Sequence, residues 1–251
     1  VRATFRVEGL RPEWWDPFTG RAWAAEVLAR PAGGTTVGLE LDPYGSRVLV
    51  FSNRRLPSPA SRSARALPAP LDLSTNWRVT FRVNTKPMMM ERLQSWTESE
   101  ETRFHSGPGT YEKEVNVPEA FLESGLEVRL EFGEGTPLSA TSRRAGMQAW
   151  LEAPVREAAV VYVNDERAGF LWHPPYSLDV SGLVRRGANR IRIVVGNLAI
   201  NHLAGQRPPD YRLLNLRYGV RFEPQDMDKL QPVPAGLLGP VRLIAIGNSQ
   251  R

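Results

Sequence analysis

Residues Val161 to Val180 read VYVNDERAGFLWHPPYSLDV. The stretch divides into a strand through Val163, an Asn164-Asp165 turn and a second strand through Trp172. A rigid Trp172-His173-Pro174-Pro175-Tyr176 segment then opens a third strand. Asn and Asp at the turn supply short polar side chains that hydrogen-bond nearby backbone. Pro174 and Pro175 lock φ and remove two backbone donors, so regular pairing stops there. Two strands, a tight turn and a proline stop within 20 residues point to an antiparallel β fold.

The same rhythm continues on both sides. Trp77 to Val83 alternates Trp77, Val79, Phe81 and Val83 with Arg78, Thr80 and Arg82, which is the period of a half-buried strand. Further strands are expected at Gly109–Val117, Leu126–Phe132, Glu157–Val163, Arg167–Trp172, Asn189–Gly196 and Val241–Ile246. Turn residues separate nearly all of them. Short helical turns are expected at Glu119–Ser124 and Ser181–Arg186. Many short strands with few helical patterns predict an all-β sandwich over residues 73–251, most economically a jelly roll.

Residues 1–53 form a second β unit. Val37, Leu39 and Leu41 alternate with Thr36, Gly38 and Glu40, and Arg47 to Phe51 is a compact apolar run after Asp42-Pro43-Tyr44-Gly45. Trp15 to Gly20 reads as a turn, with Pro17 setting φ and Asp16 capping. So short a unit is expected to pack on something. Between the two units, residues 54–72 carry Pro57, Pro59, Pro68 and Pro70 among Ser, Ala and Arg, the composition of a partly extended linker.

Composition narrows the function classes. The 251 residues hold no cysteine, which excludes disulfides, thiolate metal sites and cysteine nucleophiles. The apolar runs fall short of the roughly 20 residues of a membrane helix. Val1 in place of Met points to a processed or excised piece of a longer chain. The net charge is +5, carried mostly by arginine. These arginines alternate with apolar residues, as in Arg190-Ile191-Arg192-Ile193, so they line wet strand faces and do not form a nucleic-acid footprint.

Several segments, in order, resemble the galactose-binding-like jelly roll of glycoside hydrolases. Leu93-Gln94-Ser95-Trp96-Thr97, with Thr102 to Gly107 and Thr110 to Lys113, resembles the entry motif. Val163-Asn164 through Trp172 resembles V-N-G-x-x-x-G-x-x-W. Pro174-Pro175-Tyr176 to Asp179-Val180 resembles P-P-Y-x-x-D-V, and Gly187-Ala188-Asn189 the strand opening that follows. Asn197 to Gly205 is similar to N-x-x-x-N-x-L-x-G, and Gly236 to Val241 to the closing G-L-L-G-P-V. The set is most similar to the C-terminal region of α-L-rhamnosidase-like enzymes such as glycoside hydrolase family 106, and more loosely to the family 2 sugar-binding domain. Trp15-Asp16-Pro17 and Leu41 to Ser46 look like the β segment after the catalytic barrel of such enzymes. The chain departs from the pattern at His202, where Arg is commoner, and at Asp165-Glu166, where Asn-Gly is usual. The resemblance implies an accessory region whose catalytic barrel lies upstream, in a periplasmic or secreted parent.

The residues themselves support binding better than catalysis. Glycoside hydrolysis needs two flanking carboxyl groups. The candidates are Glu98, Glu100 and Glu101 after Trp96, and Asp165 with Glu166, all in loops or turns where carboxylates are solvated. His105, His173 and His202 lack both metal-ligand spacing and a nucleophile elbow. No catalytic residue and no cofactor is assigned, and a structural calcium bound through backbone carbonyls stays open. Sugar binding needs aromatic faces beside polar groups. Trp96, Arg103 and His105 supply one such set, and Trp172, His173 and Tyr176 another, with Phe104, Asn197 and Asn201 nearby in the pattern. Trp14 and Trp15 read as a packing face. The competing functions are a carbohydrate-binding or active-site-rim module, a structural brace for the barrel, and a free-standing hydrolase.

Overall fold

The computed structural model describes residues 1–17, 20–41, 46–57, 67–81, 86–138, 151–207, 210–220 and 229–247. Its elements are nearly all antiparallel strands. The larger part pairs a six-stranded sheet with a four-stranded one. The six-stranded sheet runs, edge to edge, Glu166–Leu171, Ala158–Val163, Gly187–Gly196, Gly109–Val117, Thr75–Phe81 and Met88–Arg92. The four-stranded sheet runs Ser177–Asp179, Leu126–Glu131, Arg242–Gly247 and Leu71–Asp72. Two-strand pairs join Thr136–Pro137 to Leu151–Glu152 and Val155–Arg156 to Gly236–Leu237.

Alternation builds the interior. Trp77, Val79 and Phe81 face Tyr111, Ile191, Ile193 and Val161 along one sheet, and meet Val128, Leu130, Leu243 and Val180 of the other in one buried cluster. Each fully buried aliphatic or Phe side chain there contributes roughly 1.5–3 kcal/mol. The Trp77 indole donates to the Leu73 carbonyl at 2.7 Å, so burial leaves its N–H satisfied.

The hairpin anticipated at Asn164-Asp165 forms. Both residues have positive φ, 52° and 66°, as a two-residue turn matching strand twist requires. Asn164 also donates from Nδ2 to Leu183 O and to Asn189 Oδ1, each at 2.8 Å. Asn189 in turn donates to the carbonyls of Arg185 and Gly187. The Gly187-Ala188-Asn189 segment is therefore a polar clamp that fixes the hairpin.

Both expected helical turns are short: Glu119–Leu122 is a 3-10 turn, and at 181–186 the N–H groups of Leu183 and Val184 donate to the Val180 carbonyl in a single turn that is not continued. There Asp179 accepts from both the backbone N–H and the hydroxyl of Ser181, a local turn that competes with helix. Two α-helices that the strand pattern did not announce occur at Ile200–Ala204 and Arg212–Tyr218.

Within residues 1–53, two three-stranded sheets form: Arg2–Phe5, Thr35–Gly38, Val27–Ala29, and Ala22–Ala24, Arg11–Trp15, Val48–Ser52. Phe5 and Phe51 join them, with ring centroids 5.5 Å apart. Glu13, on the Arg11–Trp15 strand, is buried, at 1% exposure. It accepts from the Ser52 hydroxyl, from Trp15 Nε1 at 3.0 Å and from Arg54 at 2.6 Å. The Ser52 and Trp15 hydrogen bonds, with Arg54, hold its carboxyl well below the usual range, at about 2, against the opposing effect of burial. Trp14 is half-buried and Trp15 is 42% exposed beneath the Arg54 guanidinium. Arg21 reaches Asp179 of the sandwich at 3.8 Å. Residues 58–66 of the anticipated linker 54–72, and the turn at Asp42 to Gly45, lie outside the described residues, while Leu71–Asp72 at the linker's end is a strand of the four-stranded sheet.

Candidate functional site

The expected sugar-facing residues divide into two places on one end of the six-stranded sheet. Leu171 pairs with Ala159, Ala159 with Val195, and Val195 with Gly109. Trp172 therefore leaves the sheet at the same end as Pro108 and Asn197. Three strand spacings, about 14 Å, separate the Trp172 strand from the Gly109 strand. The two sets do not converge into one pocket.

Around Gly109 the structure corrects the expectation for Trp96. Ser95 caps a 3-10 turn at Trp96–Glu98, with Glu98 returning to the Ser95 N–H at 3.1 Å. That turn drives Trp96 inward, to 1% exposure. Phe81 and His105 pack edge-on against its ring at 5.1 and 5.4 Å, and Tyr111 lies parallel at 6.5 Å. Trp96 Nε1 donates to the Tyr111 hydroxyl at 2.5 Å, and the Leu237 N–H donates to the same oxygen at 3.1 Å. Burial pushes the Tyr111 phenol up to about 12. Glycine is required at two contacts, since a Cβ on Gly109 or Gly236 would stand 2.5 or 2.4 Å from the Trp96 ring. Trp96 is a core residue with no face left for a sugar.

His105 is half-buried against Phe81 and Trp96, and desolvation lowers its pKa. Asn197 donates to the His105 carbonyl at 2.9 Å and accepts from the Leu198 N–H. Asn201 is wholly buried. It exchanges hydrogen bonds with the backbone of Val233 at 2.8 and 2.9 Å. Asn197 and Asn201 thus position loops, and both polar atoms of the buried Asn201 side chain are bonded to Val233. Arg103 is exposed and, with Thr97, Phe104, Ala204, Leu230, Gln231 and Pro232, lines an open groove of about 540 Å³.

The other set is accessible. Trp172 is 60% exposed, with the His173 ring edge-on at 4.6 Å. His173 Nδ1 lies 2.5 Å from the Pro174 carbonyl. Tyr176, by contrast, is 6% exposed and belongs to the core, with burial raising its phenol pKa. Its backbone carbonyl accepts from Phe132, which ties the segment to the second sheet. The rigid Trp-His-Pro-Pro-Tyr unit is anchored by Tyr176 and presents Trp172 and His173.

No protein-family model matches the chain. The rhamnosidase of Novosphingobium sp. PP1Y superposes on 98% of this chain and 21% of its own, with a TM-score of 0.70 and 27% sequence identity. A Formosa agariphila protein described as "Putative beta-glucuronidase" is 28% identical over 148 residues, 57% of this chain and 11% of that protein. This chain is similar to a segment of glycoside hydrolases. It spans a small part of the length of either relative.

Measured against the chemistry of that class, the carboxylates expected from the sequence are occupied locally or dispersed. Glu98 closes the capping turn. Glu100, Glu101 and Glu166 are exposed, and Asp165 lies 3.6 Å from Arg190. Among the described residues, no group of three His, Asp or Glu side chains is arranged to hold a metal ion. No described helix is long and apolar enough to cross a membrane.

Sequence reasoning missed a set on the outer sheet face next to the strand that leads to Trp172: Phe170, Tyr162, Arg167 and Arg192. Phe170 is 56% exposed. The signal was present in the Val160–Tyr162 and Arg190–Arg192 spacings, since residues two apart share a strand face.

Proposed function

We propose that the chain is a non-catalytic accessory portion of a larger glycoside hydrolase of α-L-rhamnosidase type. In this reading residues 1–53 are a small antiparallel β domain, 54–72 a linker, and 73–251 a galactose-binding-like jelly roll. The Trp172-His173 corner contacts carbohydrate, by itself or as the rim of the parent's active site. The observation that carries it is Trp172: a large aromatic face held in solvent by a proline-stiffened, Tyr176-anchored segment. Aromatic faces of this kind stack on the apolar side of a sugar ring while neighbouring polar groups meet hydroxyls. The similarity to a rhamnosidase segment supports a parent of that class, with the catalytic barrel elsewhere in it.

Titrating the chain with rhamnose, galactose and plant-polysaccharide oligomers, followed by NMR, tests this. Shifts centred on the Trp172 indole are expected. No response at about 50 mM sugar, which is beyond even weak millimolar affinity, would remove independent binding.

A second reading is a brace for the barrel, favoured by a specific patch. Leu213, Leu216 and Val220, in and just after the Arg212–Tyr218 helix, are 81%, 83% and 82% exposed. Removing residues 74–251 from the parent separates the readings. Loss of solubility marks a brace, and selective loss of substrate affinity marks the rim.

A further inference from the structure

We propose that the outer face of the six-stranded sheet, along its Glu166–Leu171 edge, binds an anionic saccharide. Trp172 and Phe170 would stack on ring faces, and Arg167 and Arg192 would pair with a carboxylate or sulfate. The inference rests on the carbohydrate-binding reading above and adds the ligand's charge.

The register assembles the site. Leu171 points into the core at 1% exposure, so Phe170, at 56%, lies on the opposite face, and Trp172 follows just beyond the end of the strand. Across the sheet, Phe170 faces Val160, which faces Val194. One row further, Arg167 faces Tyr162, which faces Arg192. A bulge between Val161 and Tyr162 brings Arg167, and not Ala168, opposite Tyr162. Ala168 instead packs against the core cluster. Toward Trp172 the face is floored by Ala158 opposite Gly196, both exposed and small. The result is an aromatic edge, a low aliphatic floor and an end where Arg167 and Arg192 flank Tyr162, with Glu112 on the next strand opposite Arg192.

The ion pairs on this face single out two of its arginines. Glu112 takes Arg190, with Arg78 at 3.7 Å, and Asp165 takes Arg190 at 3.6 Å. Arg192 lies over the Tyr162 ring at 3.9 Å and Arg167 over the Phe170 ring at 5.1 Å. Among the described residues, neither is ion-paired with a carboxylate. Stacking a guanidinium on a ring fixes its plane while its N–H edge stays open. That edge matches the paired oxygens of a carboxylate or sulfate. Neutral sugars would leave both cations unmatched.

The test uses the full chain and calorimetry at about 50 mM salt, where screening still permits such pairing. The probes are tetragalacturonic acid, its fully methyl-esterified form and a sulfated carrageenan tetrasaccharide. One charged probe is expected to bind about tenfold more tightly than the ester, a step of about 1.4 kcal/mol. Preference for the acid assigns the carboxylate, and preference for the carrageenan assigns sulfate. The R167Q/R192Q double variant is expected to bring the ratio close to one. R186Q removes a charge that pairs with Glu119 away from this face, and is expected to keep the ratio. Equal binding of all three probes by the unsubstituted chain would overturn the anionic assignment while leaving carbohydrate binding intact. No binding of any probe would overturn both. A preference that survives in a folded R167Q/R192Q variant would overturn the assignment to these arginines.

Discussion

Trp96 and Trp172 look alike in the sequence and have opposite fates in the fold. Both follow a strand of the six-stranded sheet, and both have a histidine ring edge-on against the indole. Trp96 is swallowed because chain from far away closes over it. Ala235 accepts its backbone N–H at 3.0 Å, Leu237 shares its Tyr111 partner, and Gly236 leaves room for the indole. Trp172 stands at the end of an edge strand and stays 60% exposed. The difference teaches that aromatic exposure at a sheet end is decided by what crosses over it, not by the local motif.

The contrast breaks most visibly under truncation. Trp96→Ala removes a fully buried ring and two hydrogen-bonded neighbours' packing, and is expected to cost about 3–5 kcal/mol. Thermal unfolding should fall by about 10 °C or more. A small change would mean that the segment around Gly236 does not cover Trp96 in solution. Gly236→Ala tests the same lid from the other side. Its backbone sits at φ 101°, and the new methyl would meet both Trp96 and Tyr111, so about 1–3 kcal/mol of destabilisation is expected by urea titration.

A third way to sharpen the comparison is alkaline pH. The Tyr111 phenol is pushed up to about 12 from its ordinary value near 10. A raised folded pKa contributes stability that is fully present below pH 10 and is lost as pH rises toward 12. The loss is on the order of 2–3 kcal/mol. Stability measured from pH 9 to 12 should fall across that window, and Tyr111→Phe should remove that component of the fall. The smallest effect on stability is expected at the exposed corner. Trp172→Ala should change unfolding free energy by less than about 0.5 kcal/mol, as surface substitutions do. It should nevertheless abolish the sugar-induced NMR shifts. A large stability loss there would show that Trp172 is covered after all.

Strand positions were legible because period-two alternation writes burial directly into sequence. Gly109–Val117 was read to the residue, and most others within one or two. The helices at Ile200–Ala204 and Arg212–Tyr218 were not legible. Neither has a side-chain cap, and the exposed leucines of the second give no buried stripe to detect. At the candidate site, the Trp172-His173 pair emerged as an accessible corner. Tyr176, Trp96 and Asn201 proved to be interior residues that hold loops in place.

Alternation, turn chemistry and proline placement determined by themselves that this is an antiparallel β protein with a tight hairpin at Asn164-Asp165, because those signals act over a few residues. Only the tertiary structure decided which aromatics meet water and which arginines share a face. Those outcomes depend on strands far apart in the chain: Arg192 meets Tyr162 through sheet register, and Trp96 meets Gly236 after most of the sandwich's strands have intervened. Local sequence carries no record of such pairings, since the same side chain is buried or displayed according to its distant neighbours.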